Sequence, residues 1–222
     1  MILRAAFLTR ATRAVEVGMA YGVSSITIAD GISKNATPKT GRAKLVVMDP
    51  HQNAIEGWSG LGLFQIERAG FSDIVEFHEQ SSQECLPALL ARGERFDLAF
   101  IDGWHTFDHT MVDFFFIDLR LETGGVVVFD DIGYPAIREV VRFIIANRSY
   151  DLIDIEPVVG LEVPPSLRFR RWFKRAIQPI ARTDRDADPR HDAMFRKLES
   201  AQAVALRKTG DDSRRFDHFR AF

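Results

Sequence analysis

One cysteine, Cys85, stands in 222 residues, which excludes an intramolecular disulfide and any cysteine-rich zinc site. Buried packing is the role expected of it. Apolar runs approaching 18 residues are lacking, so no segment is expected to cross a membrane as a helix. The opening stretch "MILRAAFLTRATRAVEVG" has its apolar residues broken by Arg4, Arg10 and Arg13. No secretory hydrophobic region is expected there, and the expected location is cytoplasmic. Internal repeats and low-complexity tracts are missing as well. Net charge is small, −2, but residues 1–165 carry 14 Lys/Arg against 23 Asp/Glu, whereas residues 166–222 carry 15 against 8. With 46% hydrophobic and 27% charged residues, the chain reads as a soluble globular protein. It is long enough for one full α/β core with a small appendage, and too short for two complete domains.

What is present is an alternation of short apolar runs with helix-length segments. "AVEVG" (14–18), "KLVVMD" (44–49), "IVEFHE" (74–79), "FDLAFID" (96–102) and "GGVVVFDD" (124–131) are the expected strands. Several are continuous β-branched and aromatic runs, the pattern of strands covered on both faces. A doubly wound, mostly parallel sheet with crossover helices follows. The helices are expected near 23–33, 52–69, 82–92, 106–120 and 134–148, with "YDLIDIEPV" and "VGLEVPP" adding one or two edge strands. Pro164-Pro165 closes the domain assigned to residues 1–165, and residues 166–222 form a basic, helical, partly mobile extension. In that extension "SLRFRRWFKRAIQPI" places five basic residues among apolar ones at near-helical spacing. A last helix is expected in "AMFRKLESAQAVALRK", with Gly210 placed to end it.

Open parallel sheets bind ligands at the carboxyl ends of their strands, so the strand ends carry the functional reading. The first ends in "VEVGMAYGVS", whose glycines at 18 and 22 allow a tight turn and a close approach of backbone to ligand. Its G-x-x-x-G spacing is not the G-x-G-x-x-G of dinucleotide binding, which argues against NAD. The second ends in Asp49, an acid able to accept hydrogen bonds from both hydroxyls of a ribose, or an ordinary helix cap before Pro50. The third leads into "EQSSQECLPALL", where Ser82 and Gln83 meet the polar edge of a base, or where Ser82 serves as an N-cap with Glu84. Glycine turn, acid and polar loop at three successive strand ends together describe a nucleoside pocket.

Asp102 ends the fourth strand and Asp130-Asp131 the fifth. Three like charges at one edge of the pocket are costly without a cation. Oxygen ligands without cysteine favour a hard ion, Mg²⁺ first, with Mn²⁺ or Ca²⁺ as alternatives; the plainer reading is that Asp130 or Asp131 caps the next helix. His105, three residues after Asp102, projects toward the same space and is suited to act as a base on a substrate hydroxyl. His109 and His51 are further candidates, whereas His78, His191 and His218 have no argument for chemistry. Trp104 stacks on a purine or covers the core.

The order "VEVGMAYGVS", "VVMD", "SSQECLPALL", "FIDGWH", "GGVVVFDD" resembles the class I S-adenosylmethionine-dependent methyltransferases. Within them it is similar to the catechol and caffeoyl-CoA O-methyltransferase-like enzymes and to the bacterial macrolide-sugar O-methyltransferases. The resemblance covers about residues 14–150. It implies that Glu16, Gly18, Gly22 and Ser24 surround the methionine part of S-adenosylmethionine, that Asp49 holds the ribose, and that Ser82 and Gln83 meet adenine with Trp104 stacked on it. Asp102, Asp130 and Asp131 fall on the metal-ligand positions, the last of which is often Asn in the catechol-type enzymes. Those enzymes carry a catalytic lysine three residues after the first ligand; this chain has His105, as in the sugar-modifying branch, which shifts the expected acceptor toward a sugar or polyol hydroxyl.

The expected function is metal-assisted O-methylation of a small molecule or sugar, with Asp102, Asp130 and Asp131 on the metal and His105 as base. A metal-independent methyltransferase is the first alternative, and a non-catalytic nucleoside-binding protein docked through its basic tail is the second. A nicotinamide oxidoreductase fits least, because of the glycine spacing. Only about 13 residues precede the first strand, where relatives commonly place helices that wall the acceptor pocket, so the tail or a partner subunit in a homodimer would supply that wall. No nucleic-acid partner is expected. Contact of residues 166–180 with an anionic membrane surface is a weaker expectation than packing over the acceptor site or a dimer partner.

Overall fold

In the computed structural model, residues 1–157, Leu198 and residues 201–222 are described. A short helix α1 (Ile2–Thr9) precedes β1 (Arg13–Val17), and the chain continues through α2 (Val23–Asn35), β2 (Lys44–Met48), α3 (Leu61–Arg68), β3 (Val75–His78), α4 (Ser82–Ala91), β4 (Phe96–Ile101), α5 (Phe107–Asp118), β5 (Leu121–Phe129), α6 (Pro135–Asn147), β6 (Tyr150–Pro157) and β7 (Ala201–Lys208). The seven-stranded sheet has the order β3-β2-β1-β4-β5-β7-β6. β1 to β5 run parallel, and β7 runs antiparallel between β5 and β6. Val17 is in register with Met48 on one side and Ile101 on the other. The carboxyl ends of β1, β2 and β4 therefore open at one level, at the point where the strand order reverses.

The continuous apolar runs fit this architecture because both sheet faces are covered. Val15, Val17, Val46, Met48, Val127 and Phe129 pack on one face with Leu89, Phe114, Val140 and Ile144. Ala14, Leu45, Val47, Leu98, Phe100, Val126 and Val128 pack on the other with Ile28, Ile32 and Ile66. Cys85 is buried and unpaired in the first layer, and burial pushes its thiol up to about 11, as its packing role requires. Among the described residues no helix is long and apolar enough to cross a membrane.

Two elements differ from expectation. The helix expected over 52–69 is confined to Leu61–Arg68, because residues 51–60 form turns in which Ser59 and Gly60 adopt positive φ. The last helix is corrected more substantially: Ala201–Lys208 is strand β7. Ala, Leu, Lys and Arg are good helix formers in isolation, but here the segment is inserted between two strands, and pairing overrides propensity. Lys208 fixes its end by donating from a buried Nζ to the carbonyls of Asp118 (2.7 Å) and Leu121 (3.0 Å). Gly210 thus follows a strand. The segments "VGLEVPP", 166–180 and 193–197 lie outside the described residues.

Candidate active site

The turn between β1 and α2 is held by contacts that exclude side chains. Gly18 has φ +87°, and a Cβ there would collide with the Asp102 carbonyl oxygen; Gly22 has φ +79°, and its Cβ would lie 2.9 Å from the Gly62 carbonyl. Both positions need glycine for conformation and for space. Behind the turn Glu16 is wholly buried. Its Oε1 accepts from the Ser24 hydroxyl and its Oε2 from the Ser25 hydroxyl at 2.5 Å. Burial first, with the fields of Asp102 and Asp49 adding, pushes this carboxyl up to about 8. Glu16 and Ser24 therefore support the turn from behind and engage each other.

Asp49 is 4% exposed. Its Oδ2 accepts from the backbone N–H groups of Met19 (3.1 Å) and Ala20 (3.0 Å), and its Oδ1 from that of His51 (2.8 Å). It clamps the glycine turn to the end of β2, and since α3 begins only at Leu61, Asp49 caps no helix. At the third strand end the N-cap is Ser81, one residue earlier than expected, in a capping box with Glu84. Ser82 thereby escapes capping.

These ends surround a cleft of about 600 Å³ lined by Gly18, Asp49, Ser82, Gln83, Asp102, Trp104 and His105, together with His51, Trp58, Thr106 and His109. That volume suits a small ligand. Trp104, 62% exposed, stands at the rim rather than over the core. Of the expected site residues, Glu16, Gly22, Ser24, Asp130 and Asp131 do not line it. Trp58, in edge contact with Tyr21 at 4.9 Å, belongs to the wall, and nothing in its spacing singles it out.

At the mouth lie the acids of β4 and β5. His105 Nε2 is 3.3 Å from Asp102 Oδ1 and 3.3 Å from Asp131 Oδ2, and one ligand atom from each of the three residues falls within 4.8 Å of the others. Asp130 stands beside this cluster. Its Oδ1 accepts from the Asp131 N–H (2.9 Å) and from Gln202 Nε2 (3.3 Å), while Asp131 Oδ1 accepts from Gln202 Nε2 at 2.7 Å. The tightest grouping thus contains His105 where the sequence reading had Asp130. Burial, then the field of Asp130, raises the Asp102 carboxyl. Asp131 has φ +51°, a left-handed conformation uncommon outside glycine and typical of functional sites. The His105 ring stacks on Tyr134 at 5.0 Å and 7°.

Gln202 escaped the sequence reading because its segment reads as helix, and Tyr134 because a residue before Pro135 carries no chemical signal. His109 Nδ1 pairs with Thr106 Oγ1 at 2.8 Å, His78 with Glu76 at 2.8 Å, and His191 lies outside the described residues.

Two carboxylates and an imidazole fit a hard or borderline divalent cation, and a cation would offset both the burial and the neighbouring carboxylates that raise Asp102.

A family model described as "Methyltransferase domain" matches residues 15–132, more than half of the chain. No curated protein sequence matches. Three solved structures share the fold, each with a TM-score of 0.62: a cofactor-bound protein, Rv0187, from MTB (18% identity, 95% of this chain, 78% of that chain), the O-methyltransferase TomG from Streptomyces achromogenes in complex with SAM (19%, 94%, 78%), and an O-methyltransferase from Bacillus cereus in complex with SAH (16%, 93%, 79%). Matched from the middle of β1 through the acids that follow β5, the chain belongs to the class I methyltransferase family that its strand-end residues resemble.

Proposed function

We propose that this methyltransferase moves the methyl group of S-adenosylmethionine to a hydroxyl of a small molecule or sugar. The observation that carries the reading is the convergence on one cleft of Gly18, Asp49, Ser82, Asp102 and His105, the last two grouped with Asp131. S-adenosylmethionine supplies a methyl already activated by its sulfonium. The chain must align donor and acceptor and make the acceptor oxygen a better nucleophile. Asp49, at the cleft wall, retains lone pairs for ribose hydroxyls beyond its three backbone bonds. Ser82 and Gln83 face the base, and Trp104 at the rim offers its ring to it.

His105 is the proposed base. Nε2 faces Asp102 Oδ1 and Asp131 Oδ2, so that nitrogen carries the ring N–H and Nδ1 takes the acceptor's proton; the imidazolium so formed is stabilised by both carboxylates. Asp102 and Asp131, with Asp130 beside them, would hold Mg²⁺ or a similar cation, which would orient the acceptor and lower its pKa. A metal-independent version is favoured by one observation: His105 already bridges the two carboxylates. Residues 1–165 are proposed as the catalytic domain, with β7 of the extension completing its sheet, in a cytoplasmic enzyme that takes no nucleic acid. The test is turnover of hydroxylated acceptors with S-adenosylmethionine, with Mg²⁺ and in excess chelator. Methyl transfer that survives chelation would select the metal-independent version, and no response to S-adenosylmethionine in binding or turnover would overturn the proposal.

A further inference from the structure

The acids that follow β5 are held by a strand that reaches them from the far end of the sequence. β7 pairs antiparallel with β5, Arg207 facing Val126 and Val204 facing Phe129, and the same register carried two residues further sets Gln202 opposite Asp131. Gln202 grips the turn there in two ways. Its carbonyl accepts the N–H of Ile132 at 3.0 Å, and its side-chain Nε2 donates to Asp131 Oδ1 at 2.7 Å and to Asp130 Oδ1 at 3.3 Å. Ionised carboxylates only accept, so the amide must turn its NH₂ end toward them. Ile132 is fully buried and anchors the turn. Asp131, beside it, sits at φ +51°, a conformation that persists only where its surroundings over-determine it.

The two oxygens of Asp131 thus face different partners. Oδ1 is tied to the amide, and Oδ2 is turned to His105 Nε2 at 3.3 Å, within the group formed by Asp102, His105 and Asp131. A glutamine achieves this without altering the charge. A lysine in its place would satisfy the same oxygen, but its ammonium would cancel the negative charge that suits the group to a divalent cation. Gln202 lies beyond residues 15–132, the stretch matched as methyltransferase domain, so this support comes from the extension.

We infer that Gln202 is a positioning residue that orders Asp131 for a divalent cation while leaving its charge intact, so that β7 helps to set the cation affinity of the cluster. The inference rests on the metal-assisted version of the proposed function.

The test is Mn²⁺ binding to the full chain at pH 7.5, read from the paramagnetic resonance signal of the free ion, with S-adenosylhomocysteine calorimetry and thermal melting on the same samples. The wild type should bind Mn²⁺, and Asp102→Ala should lose it, which places the ion in the cluster. Gln202→Met, similar in length but without a donor, should weaken Mn²⁺ about 10- to 100-fold, the usual worth of a group that orients a metal ligand. Gln202→Lys should weaken it further, because it brings a positive charge to Asp131. Affinity for S-adenosylhomocysteine should be unchanged in both, and either variant decides the matter if the other fails to fold. A merely structural Gln202 would lower the melting temperature and leave Mn²⁺ affinity at the wild-type level, which would overturn the inference. A wild type that binds no Mn²⁺, or an Asp102→Ala variant that binds it equally well, overturns the inference too; if S-adenosylhomocysteine still binds, the metal-independent version of the proposed function stands. Failure of the wild type to bind S-adenosylhomocysteine refutes the proposed function itself.

Discussion

The two ends of the parallel sheet treat their acids in opposite ways. At the amino ends of the strands every prominent carboxylate has a cation: Asp97 has Arg13 at 3.1 Å, Glu122 has Arg95 at 2.5 Å, and Glu76 and Glu94 share Lys44 and Arg92 at 2.7–2.9 Å. At the carboxyl ends no Lys or Arg pairs with Glu16, Asp49, Asp102 or Asp131 among the described residues; their partners are hydroxyls, backbone N–H groups, a glutamine and a histidine. The consequence is a divergence in proton affinity. Glu76 is lowered to about 2, whereas Glu16 is raised to about 8 and Asp102 is raised as well. Settled charge holds the sheet together, and unsettled charge is concentrated where a ligand, cation or proton would complete it.

The contrast breaks most visibly at the cluster. His105→Ala should lower turnover by about 10²–10⁴-fold, the usual worth of a positioned base, with little change in affinity for S-adenosylhomocysteine. His105→Gln, which keeps a hydrogen bond but cannot take the proton, should behave like alanine. Asp102→Ala should give a comparable loss. Near-normal turnover of the histidine variants would refute the assignment and direct attention to His51 and His109, which line the same cleft.

The next largest effect concerns stability. Glu16 folds with its carboxyl raised from 4.5 to about 8, so between those values the native state binds more protons than the unfolded state. The stabilisation is fully present below about 4.5 and is lost as pH rises through about 8, with a limiting slope of about 1.4 kcal/mol per pH unit. Glu16→Gln keeps hydrogen bonding to Ser24 and Ser25 without a titrating group. Its denaturation free energy should be flatter than that of the wild type from pH 5 to 8, as urea unfolding across that range would show. Identical pH profiles would mean that Glu16 is ionised in the fold.

Asp49→Ala should weaken S-adenosylhomocysteine by about 1–3 kcal/mol through lost ribose contacts. The same change removes the acceptors of the Met19 and Ala20 N–H groups in the glycine turn and of the His51 N–H group after β2, so the melting temperature should fall with the affinity. A calorimetric titration unaltered by the substitution would remove Asp49 from the nucleoside contacts.

What could be read before the structure was known follows the same divide. Strands covered on both faces advertise themselves as continuous apolar runs, so β1, β2, β4 and β5 are legible, and with them the acids and glycines at their ends. Partnership is not legible in this way. Whether Ser81 or Ser82 caps α4 is a one-residue ambiguity that propensity cannot resolve, yet it decides which hydroxyl is left for the cleft. Asp113 on α5 is 1% exposed, and nothing in "FDHTMVDFFFID" shows that the helix turns this residue inward. β7 pairs with β5 across 75 to 81 residues, a contact no local pattern encodes, and Gln202 was lost to view with it.

The smallest effect sharpens the comparison from the structural end. Glu76 is lowered from 4.5 to about 2, with hydrogen bonds from Lys44 and Arg92 outweighing the cost of burial. Its contribution is therefore present above pH 4.5 and lost as pH falls toward 2. The carboxylate is 32% exposed, so solvent screening reduces the worth of the network to about 0.2–1 kcal/mol. Glu76→Gln should cost about that much at pH 7 and weaken the decline of stability between pH 4.5 and 2, while Lys44 and Arg92 keep Glu94 as a partner. Turnover and nucleoside affinity should be unchanged, because this carboxylate lies at the end of the sheet away from the cleft. Urea unfolding at pH 7 and pH 3, with methyl transfer assayed in parallel, separates the two consequences. A variant that unfolds like the wild type but transfers methyl groups more slowly would show that the ends of the sheet are coupled, and would break the division between structural and functional charge.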